Sequence, residues 1–363
     1  MSTKLNNTIY HLSHIDLDGY SCQLVMKEAY KDIVFYNANY GAEVTEMLSQ
    51  ILETIKAKKE DASILITDLN LTMDEAKNLT KELARLKDYE KVNVALQLLD
   101  HHGSGQDSAN KYDWYYLDTT RSATQITYDY VLEHYSIGQE AINWLPPYVA
   151  IVDAVDLWHQ EKHDAFEYGK VCMRLVTETR ELNRVMFAQQ DREYKHALLF
   201  EAAQLLPLDN SNILLDDTIH ALKKNYFKKE DDNTLDNLAT AYIVELLGQQ
   251  KKDKTIYYKG YKGFLSYALG NTSIIGNGFL TQYDEYDFIV DVGPRGTMSL
   301  RANNKVDVSL IAKEWAGGGG HPNASGGRIN GFKEQFRYDK VKMQIQNIID
   351  DNESRAGKLS PKA

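Results

Sequence analysis

Aspartate and histidine side chains recur at the ends of apolar runs in the first half of the chain. Runs at 9–13, 63–67 and 92–99 have the character of buried parallel strands, and each is followed by an Asp or His residue. A fourth run, 148–152, precedes Asp153 and is predicted to be a strand of the same kind. Carboxylates and imidazoles crowded at one sheet edge are costly to bury unless cations neutralise them. The pattern therefore predicts a metal centre.

Two short motifs carry most of these side chains. The first is HIDLDG at 14–19, where alternate polar side chains can converge and the glycine allows a tight turn into a helix. The second is DHH at 100–102, and Asp68 stands alone between the two. Mixed Asp and His ligation suits Mn²⁺ better than Mg²⁺, because imidazole adds affinity from which Mg²⁺ gains little. The predicted chemistry is metal-assisted hydrolysis of a phosphate ester.

These motifs, in this order, resemble those of the DHH phosphoesterase superfamily. That superfamily includes RecJ-type exonucleases, oligoribonucleases, cyclic-dinucleotide phosphodiesterases and family II pyrophosphatases. A second signature, GGGGH at 317–321 followed by Ala324 and the glycines at 326–327, looks like the GGGH motif of the associated DHHA1 domain. The resemblance spans about residues 9–330, which is most of the chain.

The resemblance implies two Mn²⁺ ions, for which Mg²⁺ could substitute, and a set of six metal ligands. These ligands are His14, Asp16, Asp18, Asp68, His101 and Asp153. Asp68 would bridge the two ions, since a carboxylate has two oxygens to share. His102 would face the scissile phosphate as a donor or proton shuttle, and Asp100 would fix a ligating imidazole from behind. Asp156 is a weaker candidate for supporting the metal site.

Substrate-binding residues are predicted mainly in the second half of the chain. Backbone N–H groups of a glycine loop can approach an anion without interference from a Cβ, and Arg301 offers a planar fork for a terminal phosphate. Arg121 could meet phosphate at a helix N-terminus, and Arg295 lies in a predicted turn. The full predicted set is Arg301, Gly318, Gly319, Gly320, His321, Arg121 and Arg295.

Composition limits the class of substrate. The 363 residues carry 41 Lys and Arg against 52 Asp and Glu, a formal net charge of -11. Proteins that track long nucleic acid usually present a basic face, so long duplex nucleic acid is an improbable partner. With only two cysteines, no apolar leader and no uninterrupted membrane-length run, we expect a cytoplasmic protein without disulfides that does not bind membranes.

The order of elements predicts an α/β fold with a doubly wound parallel sheet, the DHH domain, joined by a helical linker to a smaller α/β DHHA1 domain. We place the catalytic domain with a helical extension at 1–190, the linker at 191–249, the DHHA1 domain at 250–348 and a mobile tail at 349–363. Ser122 and Gln125 read as a capping box that opens a helix ending near His134.

The leading functional hypothesis is a phosphodiesterase that releases nucleoside 5′-monophosphates from very short RNA by two-metal-ion hydroxide attack. Hydrolysis of cyclic or linear dinucleotides, or of 3′-phosphoadenosine 5′-phosphate, uses the same residues and is an alternative. The polarity of degradation and the formation of a homodimer are left open. A non-catalytic nucleotide sensor is the alternative of another class; missing ligands would indicate it, yet every expected ligand type is present.

Overall fold

The computed structural model describes residues 4–358, with only the backbone for the last four of these. The chain forms two compact units, one of residues 1–179 with 192–223 and one of residues 180–191 with 224–363. Residues of the linker predicted at 191–249 are therefore divided between the two units. Each unit contains a sheet of its own, and the predicted α/β fold class is confirmed.

The first unit alternates strands and helices through its first 117 residues and is helical thereafter. Its elements are β1 Thr8–Ser13, α1 Leu17–Ala29, β2 Ile33–Asn37, α2 Ala42–Lys58, β3 Ala62–Thr67, α3 Met73–Arg85, β4 Val94–Asp100, α4 Gln106–Lys111, β5 Tyr115–Leu117, α5 Ala123–His134, α6 Gln139–Asp156 and α7 His163–Glu178, with most of α8 Ala188–Leu205 and α9 Ser211–Phe227.

Local sequence explains where the helices of this unit begin and which face they bury. Helix α3 starts with a complete capping box, in which the Thr72 side chain accepts from the Glu75 amide and the Glu75 carboxylate accepts in return from the Thr72 amide. Helix α2 buries Leu48, Ile51 and Ile55, which lie three and four residues apart and thus share one face.

All five strands of the first sheet run parallel, in the order β2-β1-β3-β4-β5. The order reverses between β1 and β3, because the chain continues outward from β1 to β2 on one side and from β3 to β5 on the other. Ligands of open α/β sheets bind beyond the carboxyl ends of the strands at such a reversal. The first two predicted motifs and Asp68 all follow strand ends at this edge.

The predicted strand at 148–152 is wrong, because these residues lie inside helix α6. A short apolar run does not distinguish a buried strand from a buried helix. The helical period becomes visible over a longer window: Leu145, Tyr148, Val149 and Val152 are almost fully buried, whereas the positions between them include exposed prolines. The helical period places these four residues on one face, and Asp153 consequently lies on a helix.

The second unit is built on a mixed six-stranded sheet of order β10-β11-β9-β8-β7-β6, in which only β7 and β8 pair in parallel. The sequence pattern predicts strands at 255–258, 264–268, 288–292 and 297–301, and all four are confirmed to within a few residues. Its elements are α10 Leu235–Gln249, α11 Lys251–Lys254, β6 Thr255–Tyr258, β7 Tyr261–Tyr267, α12 Thr272–Gln282, β8 Phe288–Val292, β9 Thr297–Ala302, α13 Val308–Ala316, β10 Gly319–His321, β11 Ala324–Arg328 and α14 Tyr338–Lys358.

The last helix differs from the predicted end of this domain. Helix α14 continues to Lys358, and so the predicted boundary at 348 falls inside it. The side chains of Val341, Ile345 and Ile349 are buried at four-residue spacing, which holds the helix against its unit. Of the tail predicted at 349–363, residues 359–363 lie outside the described residues.

Among the helices of residues 4–358, none is both long enough and apolar enough to cross a bilayer.

A buried histidine on β1 should make the first unit sensitive to acid. Burial, with a smaller effect of the Arg192 charge, lowers the pKa of His11 to about 3. Below pH ~6.5 the His11 imidazole therefore binds a proton in the unfolded chain but not in the folded chain. The free energy of unfolding falls as the pH decreases from that value. For this one group the loss between neutral pH and about pH 5 is about 2 kcal/mol.

Between neutral pH and about pH 5, the free energy of unfolding of His11→Gln should fall by about 2 kcal/mol less than that of wild type, because the glutamine amide does not titrate. Urea unfolding at both pH values measures the difference, and the destabilisation that the substitution itself causes cancels. The matched control is His163→Gln, because the His163 side chain is exposed. An unchanged pH dependence in His11→Gln would show that this imidazole is not the origin of the acid sensitivity.

Candidate active site

The loop after β1 is shaped by its glycine and by its first aspartate. Asp16 is the N-cap of α1, and its Oδ1 accepts a hydrogen bond of 3.0 Å from the Gly19 amide. A Cβ on Gly19 would lie 2.4 Å from the carbonyl oxygen of His14, so only glycine allows this turn. The turn brings His14, Asp16 and Asp18 to the same end of the sheet, as the sequence predicts.

Three side chains form the first part of a cluster at this end. His14 Nδ1 lies 2.9 Å from Asp16 Oδ2 and 3.6 Å from Asp68 Oδ2. Ligand atoms of these three residues all lie within 4.8 Å of one another, close enough to hold one metal ion. Asp68 is almost fully buried, whereas His14 and Asp16 are partly accessible.

The second part of the cluster is centred on His101. Its Nε2 lies 3.4 Å from Asp68 Oδ1, 3.7 Å from Asp18 Oδ2 and 3.4 Å from Asp156 Oδ2. Asp68 thus turns one carboxylate oxygen to each part, the arrangement that a bridging ligand requires. Asp18, His101 and Asp156 form a second group that could hold an ion, and Asp68, His101 and His102 form a third.

Unpartnered buried atoms indicate that this cluster fits cations. His14 Nδ1, Asp68 Oδ2 and Asp156 Oδ2 are buried and make no hydrogen bond of acceptable geometry. Burial and the nearby carboxylates of Asp16 and Asp18 raise the pKa of Asp68 well above its usual range. Buried polar atoms normally find partners, and clustered carboxylates repel one another. Divalent cations bound by these imidazole and carboxylate donors would relieve both costs.

Asp153, predicted as a metal ligand, is in none of the three groups of described residues that could hold an ion. Its Oδ1 accepts a 2.9 Å hydrogen bond from the Ser122 amide and its Oδ2 lies 3.3 Å from Lys162 Nζ. The residue of α6 whose carboxylate approaches His101 is Asp156, one helical turn further on. The sequence analysis gave Asp156 only a supporting role. A strand ending at residue 152 would have placed Asp153, the residue that follows it, at the metal site.

Asp18 connects the cluster to helix α5. Its two carboxylate oxygens each accept a 2.8 Å hydrogen bond, one from the Ala123 amide and one from the Thr124 amide. Ser122 is the N-cap, as predicted, and accepts from the Gln125 amide. The Gln125 side chain donates to Asp129 rather than back to the cap, so the predicted reciprocal capping box is only half formed.

The third residue of the DHH motif has a partner of its own. Asp100 Oδ1 lies 2.7 Å from His102 Nδ1, and Asp100 Oδ2 accepts a 2.7 Å hydrogen bond from the Tyr115 hydroxyl. The carboxylate predicted to fix a ligating imidazole therefore orients His102 instead of His101. On its other side, His102 Nε2 lies 3.0 Å from the hydroxyl of Tyr40. Neither tyrosine is part of a sequence motif, and no signal among the 24 tyrosines pointed to them.

Arg121 is not free to hold a phosphate. Its guanidinium donates to the carboxylates of Asp118 and Asp129 and to the Tyr116 hydroxyl. These partners use the donors that a phosphate would need, and the two carboxylates already neutralise the charge. We therefore find no support for the predicted phosphate contact at this position.

In the second unit, two predicted substrate-binding residues lie in register across neighbouring strands of the sheet. Arg301 on β9 pairs with Ala324 on β11, which in turn pairs with His321 on β10. Paired residues of antiparallel strands point to the same face, so Arg301 and His321 lie on one face, about 10 Å apart across the small alanine. The Arg301 guanidinium donates to the Ser273 hydroxyl, and Gly319 is open to solvent.

The backbone conformation explains why the other glycines of the GGGGH motif are glycines. Gly317 closes α13 in the left-handed region at φ 59°, and the Gly318 amide donates to the carbonyl of Ala312. A Cβ on Gly318 would lie 2.1 Å from the Gly326 carbonyl oxygen, and Gly320 adopts φ 145°. The Gly318 amide is therefore unavailable to an anion, contrary to prediction.

Arg295 lies apart from Arg301. It lies in the turn before β9, whereas Arg301 lies near the end of that strand. The extended residues 297–301 alone span about 13 Å. The role of Arg295 as a further substrate-binding residue stays a prediction.

Two relatives and a solved structure are among the known proteins that match nearly the whole chain. The 3′,5′-cyclic-nucleotide phosphodiesterase of Helicobacter pylori (strain ATCC 700392 / 26695) is 44% identical over 346 residues, covering 94% of this chain and 99% of that protein. Oligoribonuclease NrnB of Bacillus subtilis (strain 168) is 26% identical over 371 residues, covering 97% and 82%. The crystal structure of an uncharacterized protein from Helicobacter pylori G27 has a TM-score of 0.89 at 44% identity, covering 94% and 99%.

No protein-family model matches the chain. The similarity to the first relative nevertheless covers 94% of the chain and therefore reaches both units. Four residues of this chain's motifs, His14, Asp16, Asp68 and His101, meet at one sheet edge in groups that could hold metal ions. The chain belongs to the DHH family of phosphoesterases and is a hydrolase of phosphate esters.

Proposed function

We propose that this protein hydrolyses 3′,5′-cyclic nucleotides to nucleoside monophosphates, with very short oligoribonucleotides as a second candidate substrate. The observation that carries the chemistry is the cluster bridged by Asp68, whose unpartnered atoms fit two divalent cations. The first substrate is supported by the name of the relative at 44% identity, and the second by that of the relative at 26% identity. Both are phosphodiesters, for which one site can serve.

The bound cations would neutralise the phosphate and activate water. The chain's own side chains position the reacting groups. Asp68 sets the distance between the two cation sites, and Asp18 ties the second site to the start of α5 through two amide hydrogen bonds. Asp100 holds His102 in one orientation, with its Nε2 turned away from the Asp100 carboxylate and toward the Tyr40 hydroxyl.

We propose Mn²⁺ as the preferred ion. Each of the three groups that could hold an ion includes at least one imidazole nitrogen and at least one carboxylate oxygen. Imidazole favours Mn²⁺ over Mg²⁺, which prefers all-oxygen ligation. Mg²⁺ should support slower turnover.

We propose further that Arg301 and His321 contact a phosphate group of the substrate. Their common face, with exposed Gly319 beside His321, offers a guanidinium fork and an imidazole donor to one anion. A short substrate also agrees with the formal net charge of -11, which disfavours a long polyanion.

A product time course tests the proposed function. The purified protein with Mn²⁺ would be offered cyclic AMP, cyclic GMP, RNA dinucleotides, longer RNA, cyclic dinucleotides and 3′-phosphoadenosine 5′-phosphate. We expect the largest kcat/KM for a cyclic mononucleotide, and loss of turnover with a chelator or in Asp68→Asn. Turnover of dinucleotides alone would favour the second candidate. Calorimetric binding of nucleotides without turnover would overturn the proposal and favour a sensor.

A further inference from the structure

We propose that Tyr40 is a further catalytic residue, whose hydroxyl hydrogen-bonds to the leaving oxygen of the phosphodiester. The proposal rests on the phosphodiesterase reaction proposed above. Negative charge develops on that oxygen as its bond to phosphorus breaks, and a positioned donor stabilises the charge in the transition state.

The loop after β2 brings this tyrosine to the catalytic end of the sheet. The Ala38 amide donates to the carbonyl of Ser13, the last residue of β1, and Asn39 Oδ1 lies 3.3 Å from His14 Nε2. Gly41, in the left-handed region at φ 82°, lets the chain turn directly into α2. The loop is thereby attached to the strand that carries the first motif.

The Tyr40 side chain contacts both parts of the site. Its ring centroid lies 4.5 Å from that of His14, and its hydroxyl lies 3.5 Å from the backbone carbonyl oxygen of Asp68. The same hydroxyl lies 3.0 Å from His102 Nε2. The Tyr40 hydroxyl, a hydrogen-bond donor, thus lies beside the backbone of Asp68 and beside the imidazole of His102.

The direction of these hydrogen bonds follows from the partner on the far side of His102. The Asp100 carboxylate, which also accepts from Tyr115, accepts from His102 Nδ1–H. With the hydrogen on Nδ1, Nε2 is the acceptor and the Tyr40 hydroxyl donates to it. Because the Tyr40 side chain is 41% exposed, an oxygen of an entering substrate can reach the hydroxyl and take over this donated bond.

A purely structural role makes a different prediction. If Tyr40 only held His102 in place, its loss would slow all phosphodiesters alike. A donor to the leaving oxygen matters most when that oxygen is a poor leaving group, since a stabilised anion such as nitrophenolate needs little help. The dependence of the rate on the leaving group therefore separates the two roles.

The experiment compares Tyr40→Phe with wild type on methyl phenyl phosphate and methyl p-nitrophenyl phosphate in Mn²⁺. We expect kcat/KM to fall roughly 100-fold for the phenyl ester and less than about tenfold for the nitrophenyl ester, as for loss of one transition-state donor. Calorimetric titration should show that the variant still binds two Mn²⁺ ions. The matched control is Tyr89→Phe, which removes the hydroxyl of a tyrosine that is 81% exposed in the helical segment Leu86–Glu90, and should leave both rates unchanged.

Equal losses on the two esters, or no loss on either, would overturn the assignment of Tyr40. These esters contain no nucleoside, so the outcome does not depend on which nucleotide the protein prefers. Failure of wild type on every nucleotide would overturn the proposed function and leave the comparison of the two esters intact.

Discussion

Replacing Asp68 with asparagine should lower kcat/KM by at least about a thousandfold, equivalent to about 4 kcal/mol of transition-state stabilisation. The Asp68 side chain approaches both His14 and His101, with a different carboxylate oxygen toward each. Asparagine preserves the size of the side chain but removes its charge and one potential metal-ligating oxygen. Calorimetry with Mn²⁺ should show weaker binding at both sites.

Stability without metal distinguishes this loss from misfolding. Burial and repulsion from neighbouring carboxylates raise the pKa of Asp68, so its ionised form is costly in the metal-free protein. We expect Asp68→Asn to unfold at the same temperature as wild type or higher in the presence of a chelator. The exposed Asp74, in the first turn of α3, provides the control variant Asp74→Asn. Activity of Asp68→Asn within about tenfold of wild type, about 1.4 kcal/mol, would exclude the bridging role.

The second large effect should separate two aspartates one helical turn apart. Asp156→Asn should lower kcat/KM by about a thousandfold, about 4 kcal/mol, because its carboxylate faces His101 and Asp18 in the second cation group. Asp153→Asn should cost at most about tenfold, about 1.4 kcal/mol, because this carboxylate binds the Ser122 amide and the Lys162 ammonium instead.

Metal stoichiometry and stability give independent readouts for this pair. We expect one Mn²⁺ per chain in Asp156→Asn and two in Asp153→Asn. Thermal unfolding should show the greater loss of stability in Asp153→Asn, since it weakens the hydrogen bond at the start of α5. The reverse assignment of the two aspartates would hold if Asp153→Asn lost the ion and Asp156→Asn retained it.

The sequence by itself determined the fold class and most of the cation-binding side chains. Parallel strands deliver the residues that follow them to one edge of a sheet, so His14, Asp68 and His101 had to converge once their strands were identified. Capping residues such as Ser122 marked helix starts, because the signal is local in sequence.

Only the tertiary structure decided the residues that depend on packing between distant segments. The apolar run before Asp153 fits a strand or a helix equally well, and only its burial against the neighbouring helices shows the helical period that brings Asp156 to His101. Tyr40 follows β2 and Tyr115 begins β5, and both contact the Asp100–His102 pair. Neither tyrosine has a local sequence signature. Long-range contacts of this kind arise from how elements pack, a property that no short window of sequence contains.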